Sequence, residues 1–463
     1  MSPEAPLNEL SREELIALFR EQQRLIAALR AEIEELKRSQ GRPAAPFSKG
    51  PKADPKRPGR KPGQGPFLRR AAPLHAPTET VAAQVPECCP ACGGLLDPIG
   101  EEWATTTELP LRPQPVVTAW RVPRCRCRKC GKRVRGTAPG LAPDQTGATA
   151  HRVGPGVMAA AHALHYSIGV PVRKVPAILQ ELTGVSLTQS AVTQDALRRS
   201  KGSVGVAYQA LRQAVPQAPV VYTDDTGWRV GGQAAFLMGF DTDQSTVYQI
   251  RSQHRNEEVR EVIPADYGGV LVSDRGKSYD AEALASLLKQ KCLAHLLRNI
   301  SEAVKSKQGR ARQFGARLKV LLREGLALWH ARRDLTPEDF HAGHRELDEK
   351  LTHQLRNRVL RDDDNQRLLN GIGTQHDRGH LLQFLKNEGV EPTNNRAERI
   401  LRPAVIARKV SHCSKNQSGA HAFAAFASLA QTALKNGSAS VTSAFRSLFS
   451  STLSADACDG CLE

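Results

Sequence analysis

Apolar positions recur at changing intervals along the chain, and each interval predicts a different element. Between Ser11 and Ser39, Phe19, Ile26 and Ile33 repeat every seven residues, while Leu15, Leu29 and Leu36 lie on a second register that Gln22 interrupts. A seven-residue repeat buries its stripe against another helix. Residues 8–40 are therefore predicted to pair two copies as a coiled coil, the bland alternative being an amphipathic helix laid on its own protein. Gln22 costs stability in such a seam and helps to fix its register. From 150 to 215 the spacing turns helical. Gly154–Ser167 is small and apolar, and Val172–Leu182 and Thr188–Arg199 flank a turn at Thr183-Gly184-Val185. Those are the proportions of a helix-turn-helix whose second helix offers Gln189, Thr193, Gln194 and Arg198 to DNA, although any small bundle contains such a pair.

The next block switches to strands. PVVYTDD, AAFLMGFDT and STVYQIRS are β-branched or aromatic runs separated by turn residues, followed by a helix at Asn256–Ile263 and a strand at Gly269–Ser273. Three antiparallel strands, a helix and a parallel strand match the ribonuclease H-like arrangement, assigned here to residues 216–435. About a hundred residues then read as largely helical, too long for a bare loop, so 304–390 is predicted to be a helical insertion. Within it Trp329 is either a core residue or a platform for an unpaired base. Residues 436–463 are expected to be a tail. The fold class is thus multidomain α+β: a coiled-coil helix, a zinc-binding module, a helical DNA-binding region and the sheet domain with its insertion.

Charge narrows the partners. The 463 residues carry 65 Lys and Arg against 47 Asp and Glu, a net charge of +18, which points to a polyanion. MSPEAPLNEL has no basic region leading into an apolar stretch, and no run of about eighteen apolar residues occurs. A soluble, cytoplasmic protein without membrane contact is expected. Residues 41–75, rich in Pro, Gly, Lys and Arg, form a linker in which Arg57, Arg60 and Lys61 either enter a narrow minor groove or merely tether.

Ten cysteines cluster in a way that suggests metal ligation. Cys89-Pro-Ala-Cys92 and Cys127-Arg-Lys-Cys130, within residues 80–140, are two knuckles joined by a stretch that alternates like a hairpin. Four thiolates suit one closed, structural Zn²⁺ site, and the glycines that follow each knuckle permit tight turns. Arg121, Arg124, Arg126, Arg128, Lys129, Lys132, Arg133 and Arg135 crowd the second knuckle with charge suited to phosphates. Cys458 and Cys461 lack a partner knuckle.

Three acids carry the chemistry. Asp224 and Asp274 each end an apolar β-branched run, and Glu398 opens a helix. Carboxylates from separate segments repel unless a hard cation gathers them, and two such ions can cut a phosphodiester. Each acid has a rival role. Asp224 and Asp274 also suit strand-end turns, and Asn395-x-x-Glu398 fits a capping box that would divert the glutamate. Arg399, Arg402, Arg408 and Lys409 surround Glu398 with phosphate-binding charge, which a cap does not need. Cys292 and His295 read as a packed strand-to-helix junction, a structural role.

These motifs resemble the DDE transposases of bacterial insertion sequences, most closely the insertion-sequence-66 family. TDDTGWRV is similar to that family's Asp-Glu-Thr motif, with Asp225 standing where Glu is usual. SDRGKSYD resembles its second acidic motif, with Arg275-Gly276 in place of Gly-Tyr and Tyr279 kept. KCLAHLLRNI resembles its Cys-x-x-His segment and NNRAERILRP its third acidic segment. The resemblance implies that Asp224, Asp274 and Glu398 hold two Mg²⁺ or Mn²⁺ ions. It also implies 3′-end cleavage and strand transfer, DNA ends and target DNA as partners, a homodimer or larger synaptic assembly, and accessory transposition proteins. A structure-specific nuclease and a DNA-binding protein on an inactive nuclease fold are the competing readings.

Overall fold

The computed structural model describes residues 115–450, apart from 143, 306, 357 and 439, together with 12, 16, 19–29 and short stretches between 77 and 106. The chain divides into two units, Met1–Leu109 and Pro110–Glu463. In the first, residues 19–29 form a helix, α1, whose Phe19, Ile26 and Leu29 are exposed. Leu15, Ile33 and Leu36 of the seam lie outside the described residues, as do Arg57, Arg60 and Lys61 of the linker.

The second unit opens with a small hairpin, β1 (Arg124–Arg126) and β2 (Arg133–Arg135). Helices α2 (Pro155–His162), α3 (Val175–Thr183), α4 (Gln189–Lys201) and α5 (Ser203–Ala214) follow. Their ends obey local chemistry. Pro155 occupies the first turn of α2, Gly184 closes α3 in a left-handed conformation (φ 72°), and the Thr188 hydroxyl accepts the Ala191 amide at 3.1 Å to start α4.

The sheet comes next: β3 (Val220–Val230), β4 (Gln233–Asp241), β5 (Thr246–Arg251), β6 (Val270–Ser273) and β7 (Leu288–Lys291), with helix α6 (Asn256–Arg260) between β5 and β6. The spatial order is β5-β4-β3-β6-β7. The first three strands pair antiparallel, and β6 and β7 continue the sheet parallel to β3. Helices α7 (Leu293–Lys305), α8 (Gly309–Ala331), α9 (Pro337–Leu355), α10 (Asp363–Asp377) and α11 (Gln383–Lys386) then form a block, followed by α12 (Asn395–Ser411), α13 (Gln417–Lys435) and α14 (Val441–Ser450).

Two cores result. Tyr222, Val270 and Val272 of the sheet pack with α7 to α11 through Leu296, Leu322, Leu351, Ile372 and Phe384. A second core joins the rest of the sheet to α12 to α14 and to α2, α4 and α5, through Phe240, Tyr248, Phe426, Ala159, Ala196 and Tyr208. This packing bears on two segments of the second unit. Residues 150–215 keep a small core of their own between α2, α3 and α4 and also share the core of the sheet through α2, α4 and α5. Within residues 436–463, expected to be a tail, the described part includes helix α14. Val441 and Phe445 of α14 are buried in the same core, since their four-residue spacing gives the helix an apolar face. Trp329 is half-buried against the insertion core, with the Arg332 guanidinium 4.1 Å over its ring.

Candidate active site

Strand pairing places the first two acids. Tyr222 of β3 lies opposite Val272 of β6, and two residues further along each chain alternation returns to the same face at Asp224 and Asp274. That face is covered by α7 and α12, because Tyr222 and Val272 pack with Leu293, Leu296 and Ala397. Asp225 points the other way, its Oδ1 3.1 Å from His254 Nδ1, with His254 Nε2 3.2 Å from the Ser278 hydroxyl.

Helix α12 brings the third acid. Directly opposite Asp224 on β4 stands Gly239, where an added Cβ would meet Ile400 Cδ1 at 2.9 Å and Leu401 Cδ2 at 3.1 Å. The missing side chain lets the helix close over the strand. The guanidinium of Arg396 anchors the same helix, pairing with Asp243 (2.7 Å) and Asp241 (3.3 Å) at the β4–β5 turn and lying over the Tyr222 ring. The capping box does not form. Asn394, not Asn395, precedes the helix; its side chain donates instead to Thr223 O at 2.8 Å, next to Asp224, and Glu398 is left free of any cap. At its far end α12 returns to β3 through the left-handed residues His412 (φ 61°) and Cys413 (φ 69°). There Trp228 Nε1 donates to Ser414 Oγ at 3.1 Å, Ser414 N to Arg229 O at 3.1 Å and Gly231 N to Ser414 O at 3.0 Å.

Backbone amides aim the carboxylates: Gly276 N donates to Asp274 Oδ1 at 2.8 Å and Asp225 N to Asp224 Oδ1 at 3.0 Å. Burial pushes the Asp224 carboxyl up to about 7, and the charges of Asp274, Asp225 and Glu398 add to that rise against the opposing Asp225 amide. The three acids are thus electrostatic neighbours. Among the described residues, however, no three His, Cys, Asp or Glu side chains stand close enough to form a ready ligand set for one ion.

Cys292 is fully buried where β7 passes into α7, accepting the Asn394 amide at 3.2 Å. His295, one turn later, faces the site with Nε2 3.7 Å from Glu398 Oε1. The neighbouring Cys292 and the charge of Glu398 raise its pKa above the ordinary histidine value against the effect of burial.

The second cysteine knuckle is a tight turn. Gly131 N donates to Cys127 O at 2.9 Å and Cys127 N to Lys132 O at 2.8 Å, with Gly131 at φ 71°. Amides of Cys130 and Lys129 and the Cys130 thiol hold the Cys127 thiol below its ordinary pKa, in the direction of the thiolate a metal needs. Gly93, after Cys92, adopts the matching φ of 73°; Cys89 lies outside the described residues.

A model described as the zinc-finger binding domain of transposase IS66 matches residues 86–131, which include all four knuckle cysteines. A model described as the Transposase IS66 family matches residues 151–422, more than half of the chain and all three acids. The chain belongs to the IS66 transposase family. None of the curated proteins compared with this transposase matches it.

Within the transposase, the basic residues around Glu398 are not equivalent. Arg399, Arg402 and Lys409 are exposed, whereas Arg408 is bound to strand β3 through Thr226 Oγ1 (3.1 Å) and Gly227 O. Of the proposed reading helix, Gln189, Gln194 and Arg198 are exposed, while Thr193 turns its hydroxyl back to Gln189 O at 3.0 Å. No described helix is long and apolar enough to cross a membrane. Asn394, Gly239 and Arg396 were missed by sequence reasoning. The Asn-Asn pair was visible as a cap, but which asparagine served, and for what, depends on β3 lying beside it.

Proposed function

We propose that this transposase cuts the 3′ ends of its own insertion sequence and joins them to target DNA on a ribonuclease H-like sheet. The raised pKa of Asp224 carries the reading: a buried carboxyl whose strongest neighbouring charges are Asp274, Asp225 and Glu398 is a site built for a cationic partner. The residues fit divalent ions, Mg²⁺ or Mn²⁺, held pairwise by Asp224 with Asp274 and by Asp224 with Glu398, since carboxylate oxygens are the donors that hard cations take. Bound ions of this kind supply activation of the attacking oxygen and stabilisation of the leaving one. The strand order β5-β4-β3-β6-β7, with β6 and β7 parallel to β3, supports the fold assignment.

The protein's own part is orientation. Gly276 N and Asp225 N fix one oxygen each of Asp274 and Asp224, leaving the other oxygens for ligation. Arg399, Arg402 and Lys409 on exposed turns of α12 would hold phosphates beside Glu398. The four knuckle cysteines would hold one structural Zn²⁺, and the arginines of β1 and β2 would grip the DNA backbone. Exposed Phe19, Ile26 and Leu29 on α1 support pairing of two chains, so that one assembly holds two ends.

Neutralising one acid tests the reading. Asp224→Asn, Asp274→Asn and Glu398→Gln should each reduce Mg²⁺-dependent cleavage of end DNA by at least about 10³-fold. End binding in a gel-shift assay should persist. Full cleavage by any folded variant would remove that acid from the site.

A further inference from the structure

We propose that Lys291, which stands outside the acid set, is a positioning residue for Asp274, coupling the second acid to the helical insertion; the proposal rests on reading Asp274 as a metal-binding acid. Lys291 is fully buried at the end of β7. A buried ammonium is expensive unless its surroundings pair it, so its partners show what it is there to hold. They all belong to the turn that presents Asp274. Nζ donates to the main-chain oxygen of Asp274 at 3.0 Å and to Ser273 Oγ at 3.3 Å, and it forms an ion pair with Asp280 Oδ1 at 2.8 Å. Asp274 lies just past β6, with no ladder to hold it, while Asp280 ends the short helical turn Lys277–Asp280. One ammonium therefore clamps both ends of the segment that carries the acid.

The clamp continues into the insertion. Asp280 Oδ2 accepts Gln375 Nε2 of α10 at 2.9 Å, and Gln375 Oε1 lies 2.8 Å from His380 Nδ1. Burial, with the nearby charges of Lys289 and Lys291, lowers His380 to about 4, so it is a neutral donor to that oxygen. Lys291 N in turn donates to His380 O at 2.8 Å. The strand, the acid-bearing turn and the last long helix of the insertion thus share one hydrogen-bonded network. Lys289 provides an internal control. It lies on the same strand two residues earlier, is equally buried, and its Nζ has no hydrogen-bond partner.

The experiment compares Lys291→Met, Lys291→Arg and Lys289→Met in the full chain, alongside Asp274→Asn. Mn²⁺ binding is titrated by electron paramagnetic resonance, and cleavage of end DNA is followed against Mg²⁺ concentration. Lys291→Met is expected to raise the half-saturating Mg²⁺ at least fivefold, with cleavage recovered at high Mg²⁺ and end-DNA binding unchanged. Lys291→Arg should restore part of the loss, and Lys289→Met should leave the cation requirement as in the parent. A folded Lys291→Met protein with the parent's Mg²⁺ and Mn²⁺ dependence overturns the proposal, as does an equal shift in Lys289→Met. If Lys291→Met fails to fold, Gln375→Leu, one step further from the acid, must give a shift in the same direction. Failure of the underlying reading is distinct, because Asp274→Asn would then still cleave.

Discussion

The acid cluster and the arginine hairpin both crowd like charges together, yet they are held by different means. Asp224 lies inside β3 and Asp274 just past β6, on a sheet with cores packed against it, and Glu398 rides on a helix pinned by Asn394 and Arg396. In the hairpin, Arg124 stands opposite Arg135 and Arg126 opposite Arg133, on three-residue strands that bury no side chain. Like charges directly opposite one another destabilise a strand pair, and nothing apolar offsets them here. Packing can carry repelling groups where there is a core to pack. Where there is none, the zinc proposed for the knuckles would have to supply the shape.

Removing zinc is the strongest way to test that contrast. Structural zinc supplies about 10–16 kcal/mol of folding free energy in small modules. Chelation should therefore abolish hydrogen-exchange protection across residues 115–136 while leaving the melting of the sheet unchanged. Metal analysis should return one zinc per chain beforehand. A sheet that melts together with the hairpin would mean that the two regions are not separately held.

The acid site should respond to pH in the opposite sense from an ordinary ion pair. Asp224 in the folded protein titrates at about 7, above its unfolded value, so the folded state holds an extra proton between the two. Its contribution is full below the unfolded pKa, declines as pH rises towards about 7, and levels off above. Asp224→Asn removes that penalty. Without added Mg²⁺ the variant should be more stable than the parent at pH 8 by about 2–4 kcal/mol in urea denaturation, and the gap should close towards pH 4. Equal stability at pH 8 would show that the carboxylates do not strain the fold.

The smallest effect belongs to the hairpin surface. Replacing Arg124, Arg126 and Arg133 by Gln should lower the slope of log affinity against log salt for DNA by about 2.7, roughly 0.9 for each phosphate that is no longer neutralised. Arg135 is left in place because it bonds Ala142 O and Gln145 O. An unchanged slope in a binding titration would take the hairpin off the DNA.

How much of this is legible in the letters alone follows from the range of each interaction. The strands around Asp224 and Asp274 show in the β-branched and aromatic runs that each acid follows. Which of Asp224 and Asp225 faces inward does not show, because that depends on the β3–β6 register and on His254 receiving Asp225. Gly239 is invisible as anything but a weak point in a strand, since its purpose is the approach of Ile400, more than 150 residues later. Lys291 looks like an exposed charge before a Cys-x-x-His segment; only the parallel pairing of β6 and β7 buries it beneath Asp274. Helix α14 reads as a tail because ten residues with two aromatic rings show little periodicity until the core they fill is known.

Helix α12 is fastened to β3 at both ends, by Asn394 to Thr223 before Asp224 and by Ser414 to Trp228, Arg229 and Gly231 beyond it. A helix advances about 1.5 Å and turns about 100° with each residue, so a segment fixed at two points admits one length only. Substitutions along its outer side can drift, but a single inserted or deleted residue between 398 and 411 would swing one anchor out of reach or turn Glu398 away from the strand. The insertion helices α8 to α10 are under no such restriction at their connecting turns. Length changes among related chains should therefore gather there, and a spacing ruler from Asn394 to Ser414 should find the third acid even where the surrounding letters have changed.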